Sequence, residues 1–225
     1  MKKANNCRQN ERKICYIVGA GEPFLPFCKK SDDLIIAADG GYDRLCARGI
    51  VPDLCIGDFD SASSSMDADV CVPIERHPVQ KDETDMALAA LRGYEMGYRR
   101  FILLGGTGGR EDHTFANYQL LLRMARMGAS GILVGNSHLV RVIADGSSTL
   151  YGQVGDTLSV FAFGGCACGV TLEGTEYPLT EGVLETHFPL GVSNSFAAET
   201  VRITVRDGAL LIFSPLYDLE KIELF

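Results

Sequence analysis

The stretch LIIAADGGYDRLCARG, residues 34–49, decides how this chain folds. Its uninterrupted apolar run, Leu34 to Ala38, is typical of a strand that is buried on both faces of a sheet. Gly41 to Arg48 then predicts a helix, which ends at Gly49 because glycine readily takes a positive φ. A buried strand followed directly by a helix is the repeating unit of a parallel sheet with helical crossovers.

The same unit recurs over the first 135 residues. Four further apolar runs predict buried strands: Ile14 to Val18, Leu54 to Gly57, Phe101 to Leu104 and Ile132 to Val134. Two further helices are predicted to end at glycines, Asp85 to Met96 before Gly97 and Asp112 to Met127 before Gly128. We expect their buried stripes to contain Leu88 and Leu91 in the first helix, and Phe115, Leu122 and Ala125 in the second. Residues 1–135 are therefore predicted to form an α/β domain with a mostly parallel sheet.

The pattern changes after about residue 136, where short runs, several of them alternating, are separated by glycine-rich or Asp-Gly turns. Six such runs predict antiparallel strands: Leu139 to Ala144, Thr157 to Phe163, Val170 to Leu172, Val183 to His187, Glu199 to Val205 and Ala209 to Phe213. The stretch VRDGALLIF, residues 205–213, predicts a β-hairpin that turns at its Asp-Gly pair. Residues 136–225 are therefore predicted to form an all-β sandwich or flattened barrel.

Charge and composition exclude several classes of partner. The formal net charge of -8 provides no basic face for nucleic acid or for an anionic membrane surface. No run approaches the roughly 20 apolar residues that a membrane span needs, and residues 1–12 do not resemble a signal peptide. Several of the eight cysteines sit within apolar runs, where a small hydrophobic side chain would serve equally well. We therefore expect reduced cysteines and a cytoplasmic protein without nucleic-acid or membrane partners.

Aspartates follow the predicted strands at the edge where ligands bind in α/β sheets. Asp39 follows the second strand, Asp58 and Asp60 follow the third, and Asp85 opens a predicted helix. Two carboxylates ~4 Å apart repel each other by about 4 kcal/mol at an effective dielectric constant of 20, so a cation is needed to offset such a cluster. Oxygen donors without histidine or cysteine partners favour Mg²⁺ or Ca²⁺ over zinc. For any single aspartate, a purely local role in a turn or helix cap is an equal alternative.

A glycine-rich stretch, GGTGG at residues 105–109, supplies the second half of the predicted site. It runs into Arg110 and the start of a predicted helix, where free N–H groups and a forked guanidinium favour a phosphate. Carboxylates for a metal beside an anion-binding loop are what phosphoryl transfer requires. The sequence contains no Walker A loop, no complete dinucleotide fingerprint, no kinase H-R-D set and no G-x-S-x-G elbow.

Five motifs together resemble those of bacterial thiamine pyrophosphokinases. They are AADGGYDRL (37–45), PDLCIGDFDS (52–61), KDETDMALA (81–89), GGTGGREDHTFAN (105–117) and PLGVSNSF (189–196). Each motif alone is weak, but the five occur in the family's order and span most of the chain. The resemblance implies an ATP:thiamine pyrophosphotransferase with an N-terminal α/β catalytic domain and a C-terminal β-sandwich. It also implies a homodimer whose thiamine pocket lies between the two subunits.

The resemblance further implies roles for individual residues. Asp58, Asp60 and Asp85 would hold Mg²⁺. The nucleotide and phosphate region would be lined by Asp39, Lys81, Thr84, Gly106, Gly108, Arg110 and Asp112, although some relatives carry glutamine at the position of the lysine. Ser193 and Asn194 would face the aminopyrimidine of thiamine. The predicted catalytic residues are therefore Asp39, Asp58, Asp60, Asp85 and Arg110, acting with Mg²⁺ and with ATP as co-substrate.

Three alternatives stay open at the level of sequence. Either Asp85 or Asp39 is a candidate to take the proton of the thiamine hydroxyl, and a side-chain base is not required. Some eukaryotic relatives stack a tryptophan on thiamine, but this chain has none. Phe196 is therefore the candidate aromatic wall, and a place in the domain core is the alternative for it.

Two other functions compete with thiamine pyrophosphorylation. One is pyrophosphate transfer to another hydroxymethyl heterocycle such as a pterin, and the other is sensing of Mg-ATP without turnover.

Overall fold

The strands and helices are seen in a computed structural model that describes residues 13–24, 27, 29–57, 72–77 and 82–216. The chain has a sheet-dominated, mixed α/β fold, and its contacts separate two compact units. The first unit contains the described residues up to Asn117 together with Val134–Asn136, and the second contains Tyr118–Leu133 and residues 137–216. Within these ranges, no helix is both long enough and apolar enough to cross a membrane.

The first unit is built on five parallel strands. In chain order they are β1 (Ile14–Val18), β2 (Leu34–Ala38), β3 (Leu54–Gly57), β4 (Ile74–Arg76) and β5 (Arg100–Leu104). Their order across the sheet is β5-β1-β2-β3-β4, and each neighbouring pair is parallel. Strands β1, β2 and β3 are buried along their whole length, which is the reason for their uninterrupted apolar sequences. The short, more exposed β4 lacks that apolar pattern, and the sequence does not predict it.

Two helices of this unit begin where the sequence predicts them. Helix α1 covers Gly41–Cys46, and α2 covers Asp85–Glu95. Helix α2 is capped by Thr84, whose Oγ1 accepts a backbone hydrogen bond of 3.2 Å from its first turn. Beyond the two helices, Gly49 and Gly97 take positive φ angles of 68° and 90°, which confirms the predicted glycine stops.

The buried face of α2 differs from the predicted stripe. Leu88 and Leu91 are only partly buried, because smaller residues and one methionine face the sheet instead. These buried residues are Met86, Ala87, Ala89, Ala90 and Gly93. A Cβ on Gly93 would lie 2.8 Å from Sγ of Cys15, so the helix packs too closely against β1 for a leucine stripe to fit between them.

Helix α3, Glu111–Arg126, shows a similar difference. Leu120, Leu121 and Met124 are buried, whereas Phe115, which the sequence places on the buried stripe, is 54% exposed. Because residues 120–122 are three consecutive leucines, the apolar stripe of this helix can be assigned to either of two overlapping faces. Periodicity alone does not decide which face is buried.

The remaining strands are mostly antiparallel and belong largely to the second unit. They are β6 (Ser130–Val134), β7 (His138–Tyr151), β8 (Thr157–Ala162), β9 (Ala167–Glu173), β10 (Leu179–Leu184), β11 (Asn194–Ser195) and β12 (Thr200–Pro215). They follow the order β10-β9-β12-β7-β6, and β8 pairs with both β12 and β11. The pairings among β7 to β12 are antiparallel, as predicted for this half of the chain. Their alternating inward side chains form a hydrophobic core that includes Leu158, Ile203 and Ile212.

The predicted hairpin at residues 205–213 is wrong, because this stretch continues as part of β12. Strand β12 pairs with β7 on both sides of a register shift between Val205 and Ala209. Before the shift it also pairs with β9, and after the shift it pairs with β8. Gly208, at a φ of 105°, donates its N–H to Oδ1 of Asp145 in β7 at 2.9 Å. The Asp-Gly pair is therefore a bulge within one long strand.

Helix α1 starts so close to β1 that only glycine fits at its first position. A Cβ on Gly41 would lie 1.8 Å from the carbonyl oxygen of Val18, a backbone atom that cannot rotate away. We expect Gly41→Ala to lower the free energy of unfolding by about 3 kcal/mol, because it overpacks a rigid contact. Urea denaturation followed by circular dichroism measures the change.

Gly109→Ala is the matched control, since an added Cβ at that position meets no atom within 4 Å. Equal unfolding midpoints for the wild type and Gly41→Ala would contradict the close contact between α1 and β1.

Candidate active site

A cleft of about 490 Å³ opens at the carboxyl ends of β1, β2 and β5. All of its lining residues belong to the first unit. They are Gly19, Ala20, Gly21, Ala38, Asp39, Glu83, Thr84, Asp85, Met86, Gly105, Gly106, Thr107, Gly109, Arg110, His113, Thr114 and Asn117. The cleft lies at the edge of the parallel sheet where ligands are expected to bind.

Two glycine-containing loops form the floor of the cleft, one after β1 and one after β5. The N–H of Gly19 donates to the carbonyl of Leu104 at 2.8 Å, and the N–H of Gly21 donates to the carbonyl of Gly105 at 2.9 Å. A Cβ on Gly105, whose φ is 66°, would lie 2.5 Å from the Gly19 carbonyl oxygen. Glycine is required here because two backbones lie side by side, whether or not an anion binds.

Sequence reasoning missed the loop after β1 as part of the site. Its GAGEP sequence, residues 19–23, lacks the third glycine of the dinucleotide fingerprint. For that reason the sequence does not predict a nucleotide-binding loop there. The available signal was the position of two glycines directly after a predicted buried strand.

Three carboxylates line the cleft: Asp39, Glu83 and Asp85. Asp39 has a φ of 47°, and its N–H donates to the carbonyl of Ile56 at 2.8 Å. This left-handed conformation is uncommon outside glycine and often accompanies a functional role. Asp85 is the first residue of α2, where the helix dipole favours a carboxylate. The structure thus brings Asp39 and Asp85 to one cleft and adds Glu83, which sequence reasoning did not select.

The predicted metal site is only partly covered by the structure. Asp58, Asp60 and Lys81 lie outside the described residues. Among the described residues, no group of three histidine, cysteine or acidic side chains could hold a metal ion. The acidic side chains that line the cleft offer oxygen donors, which are the donors that Mg²⁺ prefers. The chemistry of the cleft therefore fits Mg²⁺, and its assignment to Asp58, Asp60 and Asp85 stays a prediction.

Arg110 lines the cleft and forms a two-point ion pair with Asp112. Nη2 of Arg110 lies 2.6 Å from Oδ2 of Asp112, and Nε lies 3.2 Å from Oδ1. Their mutual hydrogen bond raises the pKa of Arg110 and lowers the pKa of Asp112. Asp112 is not among the lining residues, so its contact is with Arg110 and it restricts the orientation of the guanidinium fork.

The other predicted nucleotide-binding residues divide between the cleft and its surroundings. Thr84 and Gly106 line the cleft. The Thr84 hydroxyl also caps α2, so this side chain has a structural role. Gly108 does not line the cleft; a Cβ there would lie 3.3 Å from Cβ of Glu22.

Asn117 lines the cleft and is the clearest residue that sequence reasoning did not select. Its side chain is buried, and Nδ2 donates to the carbonyl of Gly106 at 2.8 Å. This bond ties the glycine loop to the second turn of α3. Its only sequence signal is a polar residue on the buried face of a helix, and recognising that face requires the correct helix phase.

The residues predicted to face thiamine lie in the second unit, where Asn194 and Phe196 are buried and Ser193 is exposed. Asn194 is 4% exposed; its Oδ1 accepts from the N–H of Tyr177 at 3.0 Å, and its Nδ2 donates to the Tyr177 carbonyl at 2.8 Å. Ser193, at a φ of 55°, donates its N–H to Oγ of Ser159 at 3.1 Å. Phe196 is 1% exposed and belongs to the hydrophobic core. It presents no ring face to a ligand, which corrects its assignment as the aromatic wall and fits the core alternative.

A glycine-lined cleft with carboxylates, at the carboxyl edge of a parallel sheet, is typical of the class of α/β proteins that bind a ligand at this edge. Two family models match this chain. The thiamin pyrophosphokinase catalytic domain matches residues 27–133, and the thiamin pyrophosphokinase vitamin B1 binding domain matches residues 147–210. The chain belongs to the thiamine pyrophosphokinase family.

Individual relatives are similar over most of their length. Thiamine pyrophosphokinase of Bacillus subtilis (strain 168) is 25% identical over 183 residues, which cover 80% of this chain and 86% of the relative. The crystal structure of thiamin pyrophosphokinase from Geobacillus thermodenitrificans aligns with a TM-score of 0.79 at 28% identity, over 91% of this chain and 98% of that one. The crystal structure of the Bacillus subtilis protein aligns with a TM-score of 0.81 at 24% identity, over 90% and 98%, and shares the fold.

Substitution of Asn117 tests the bond that anchors the glycine loop. We expect Asn117→Ala to lower the free energy of unfolding by about 1–3 kcal/mol, because it leaves the buried Gly106 carbonyl without its donor. Urea denaturation measures the difference, and Asn136→Ala, at an exposed asparagine of the same unit, is the control. An unchanged midpoint for Asn117→Ala would show that the bond contributes nothing to stability.

Proposed function

We propose that this protein transfers a pyrophosphoryl group from ATP to the hydroxyl of thiamine, giving thiamine diphosphate and AMP. The observation that carries the proposal is the match of a catalytic and a vitamin B1 binding family model to one chain. The cleft of the first unit supports it, because carboxylates and glycine loops meet there at the edge of a parallel sheet.

The transfer forms one phosphorus–oxygen bond and breaks another. The oxygen of the thiamine hydroxyl attacks the β-phosphorus of ATP, and the bond from that phosphorus to the oxygen shared with the α-phosphorus breaks. AMP leaves with the shared oxygen, and the hydroxyl proton passes to a base or to water. In such reactions, positioning and the neutralisation of charge account for most of the rate enhancement.

Arg110 and the glycine loop are the groups that we propose for the phosphates. Both line the cleft directly before α3, where the dipole of the helix N-terminus adds to the attraction for an anion. The Arg110 fork suits two phosphate oxygens at once. Donors that are held in place before the reaction stabilise the developing negative charge without further rearrangement.

The carboxylates of the cleft have two roles in the proposal. Asp58, Asp60 and Asp85 would hold Mg²⁺, which when bound neutralises charge on the phosphate oxygens of ATP. Asp39 lines the acidic side of the same cleft as Asp85. Either Asp39 or Asp85 takes the proton of the thiamine hydroxyl, unless water does so directly.

The domain organisation completes the proposal. Residues 1–135 are the catalytic domain that binds ATP and Mg²⁺, and residues 136–225 are a β-sandwich that binds thiamine and forms the dimer. The extents of the two family models, residues 27–133 and 147–210, support this division. The contacts divide the chain differently, because they group Tyr118–Leu133 with the second unit. A cytoplasmic location is consistent with the free thiols of Cys15, Cys46, Cys55, Cys166 and Cys168.

Product analysis tests the function together with the acidic residues. We expect AMP and thiamine diphosphate in equal amounts when the protein is incubated with Mg-ATP and thiamine. Asp39→Asn and Asp85→Asn should each lower kcat by about 100-fold or more, because each removes a charge from the reacting region. Chromatography of the nucleotides and thiamine esters measures both results. Asp58→Asn and Asp60→Asn extend the series to the predicted metal ligands.

Asp43→Asn is the control, since Asp43 is an exposed aspartate of α1 that does not line the cleft. ADP as the product would contradict attack at the β-phosphorus. AMP formed only with a pterin acceptor would favour the second function, and binding of Mg-ATP without any turnover would favour a sensor. Normal activity of Asp39→Asn and Asp85→Asn would remove these residues from the mechanism.

The homodimer in this proposal is supported by exposed apolar side chains within one segment of the second unit. Five large hydrophobic side chains between residues 177 and 192 are each about half exposed or more: Tyr177, Val183, Phe188, Leu190 and Val192. We call this the 177–192 surface. Large apolar side chains that are exposed close together on a protein are typical of interaction sites.

Charged substitutions test whether the 177–192 surface forms the dimer. We expect the wild type to sediment at twice the mass of one chain, and the double variant Phe188→Asp, Leu190→Asp to sediment as a monomer, because burying two new carboxylates is unfavourable. Analytical ultracentrifugation makes the measurement. Val154→Asp, at a side chain that is 69% exposed but lies outside the surface, should remain dimeric. A double variant that stays dimeric would exclude this surface as the interface.

A further inference from the structure

One arginine of α1 contacts the loop after β1, and the proposed function gives it no role. Nε of Arg44 donates to the carbonyl of Ala20 at 3.0 Å, and its Nη1 forms an ion pair with Oε1 of Glu22. Ala20 and Gly21 line the cleft of the first unit, whereas Arg44 and Glu22 do not. Arg44 therefore lies outside the lining of the cleft and contacts the loop on both sides of Gly21.

The peptide group between Ala20 and Gly21 is held at both of its polar ends. Its N–H, on Gly21, donates to the carbonyl of Gly105 at 2.9 Å, and its carbonyl, on Ala20, accepts from Arg44. Because a peptide group is planar, two such bonds together define its orientation. Without Arg44, only the bond to Gly105 would remain, and the plane could rotate about it.

The main chain at Glu22 is held by the loop after β5. Its N–H donates to the carbonyl of Thr107 at 3.1 Å, and its carbonyl accepts from Oγ1 of Thr107 at 2.8 Å. Its carboxylate pairs with Arg44, and the hydrogen bond from the guanidinium lowers the pKa of Glu22, so the pair is ionised at pH 7. Glu22 thus gives the guanidinium a fixed partner, and the planar fork then directs Nε at Ala20.

Helix α1 also places Arg44 relative to the acidic side of the cleft. The helix begins one residue after Gly40, where an added Cβ would lie 3.0 Å from Cβ of Ala20. Asp39, which precedes that glycine, lines the cleft. Arg44 therefore joins the loop after β1 to the helix that follows a proposed catalytic carboxylate.

We propose that Arg44 is a positioning residue for ATP, because it fixes the Ala20–Gly21 peptide group in the floor of the cleft. The inference rests on the proposed function, in which ATP occupies this cleft. Among the described residues, no group accepts from the N–H of Ala20, so this exposed donor is available to a ligand. A displacement of roughly 1 Å in groups that position a substrate can cost about 100-fold in rate.

Arg44→Ala tests the positioning role in binding and in turnover. An ATP analogue with a methylene group between the α- and β-phosphorus is titrated calorimetrically into the full chain in the presence of Mg²⁺. We expect its Kd to rise about tenfold, because the peptide group loses one of its two bonds. In the turnover assay the KM of ATP should rise by a similar factor, while kcat and the KM of thiamine change less than about twofold.

Two further variants separate position from charge. Arg44→Lys keeps the positive charge and most of the length of the side chain, but one ammonium group cannot reproduce the planar two-point contact, so we expect weaker binding of the analogue. Arg44→Ala combined with Glu22→Gln leaves no unpaired carboxylate, and its Kd should stay raised. A wild-type Kd in Arg44→Lys or in the double variant would assign the effect to charge and overturn the inference. Circular dichroism checks that each variant is folded.

Arg99→Ala is the matched control. Arg99 also donates to two main-chain carbonyls, those of Tyr94 at 2.9 Å and Tyr98 at 2.7 Å, but it precedes β5 and does not line the cleft. Its Kd for the analogue should equal that of the wild type. If the proposed function itself is wrong, the wild type forms no AMP with thiamine. If only this inference is wrong, the wild type turns over and Arg44→Ala binds the analogue as tightly as the wild type.

Discussion

The backbone pairing between the loops after β1 and β5 is the contact on which the rest of the active-site cleft depends. It continues the β1–β5 pairing past the ends of the strands, through the hydrogen bonds that Gly19 and Gly21 donate to Leu104 and Gly105. No side chain fits between the two backbones. After the loop that follows β5, the chain continues into α3. Arg110 then lines the cleft, and the Asn117 side chain donates a hydrogen bond to the carbonyl of Gly106. The carboxylates of Asp39, Glu83 and Asp85 line the same cleft as these glycines.

The strands of the first unit were the most predictable part of the fold, since burial on both faces leaves an apolar run that few other structures produce. The bounds of β1, β2 and β3 are those that the apolar runs indicate. The buried face of α3 was less predictable, because its three consecutive leucines do not determine the phase. The continuity of β12 was not predictable from its Asp-Gly pair, because the pairing with β7 that overrides this local turn signal comes from residues about sixty positions away.

The site residues differ in the same way: some can be predicted from local sequence, and others depend on packing with distant parts of the chain. Asp39, Thr84, Gly106 and Arg110 follow strands or open helices, so the rule that places ligands at the carboxyl edge of a parallel sheet finds them without any knowledge of side-chain packing. Asn117 depends on helix phase. The burial of Phe196 in the core depends on how the preceding residues, Asn194 and Ser195, pair with β8. Periodicity within a single segment contains no information about such partners.

The long strand β12 also determines how the second unit comes apart. One half of it pairs with β9 and the other with β8, while β7 runs beside both halves. Every route from β9 and β10 to β8 and β11 therefore passes through the same sixteen-residue strand. Loss of this strand would remove the pairing partner of β7, β8 and β9 at once, so we expect the unit to unfold as one cooperative piece.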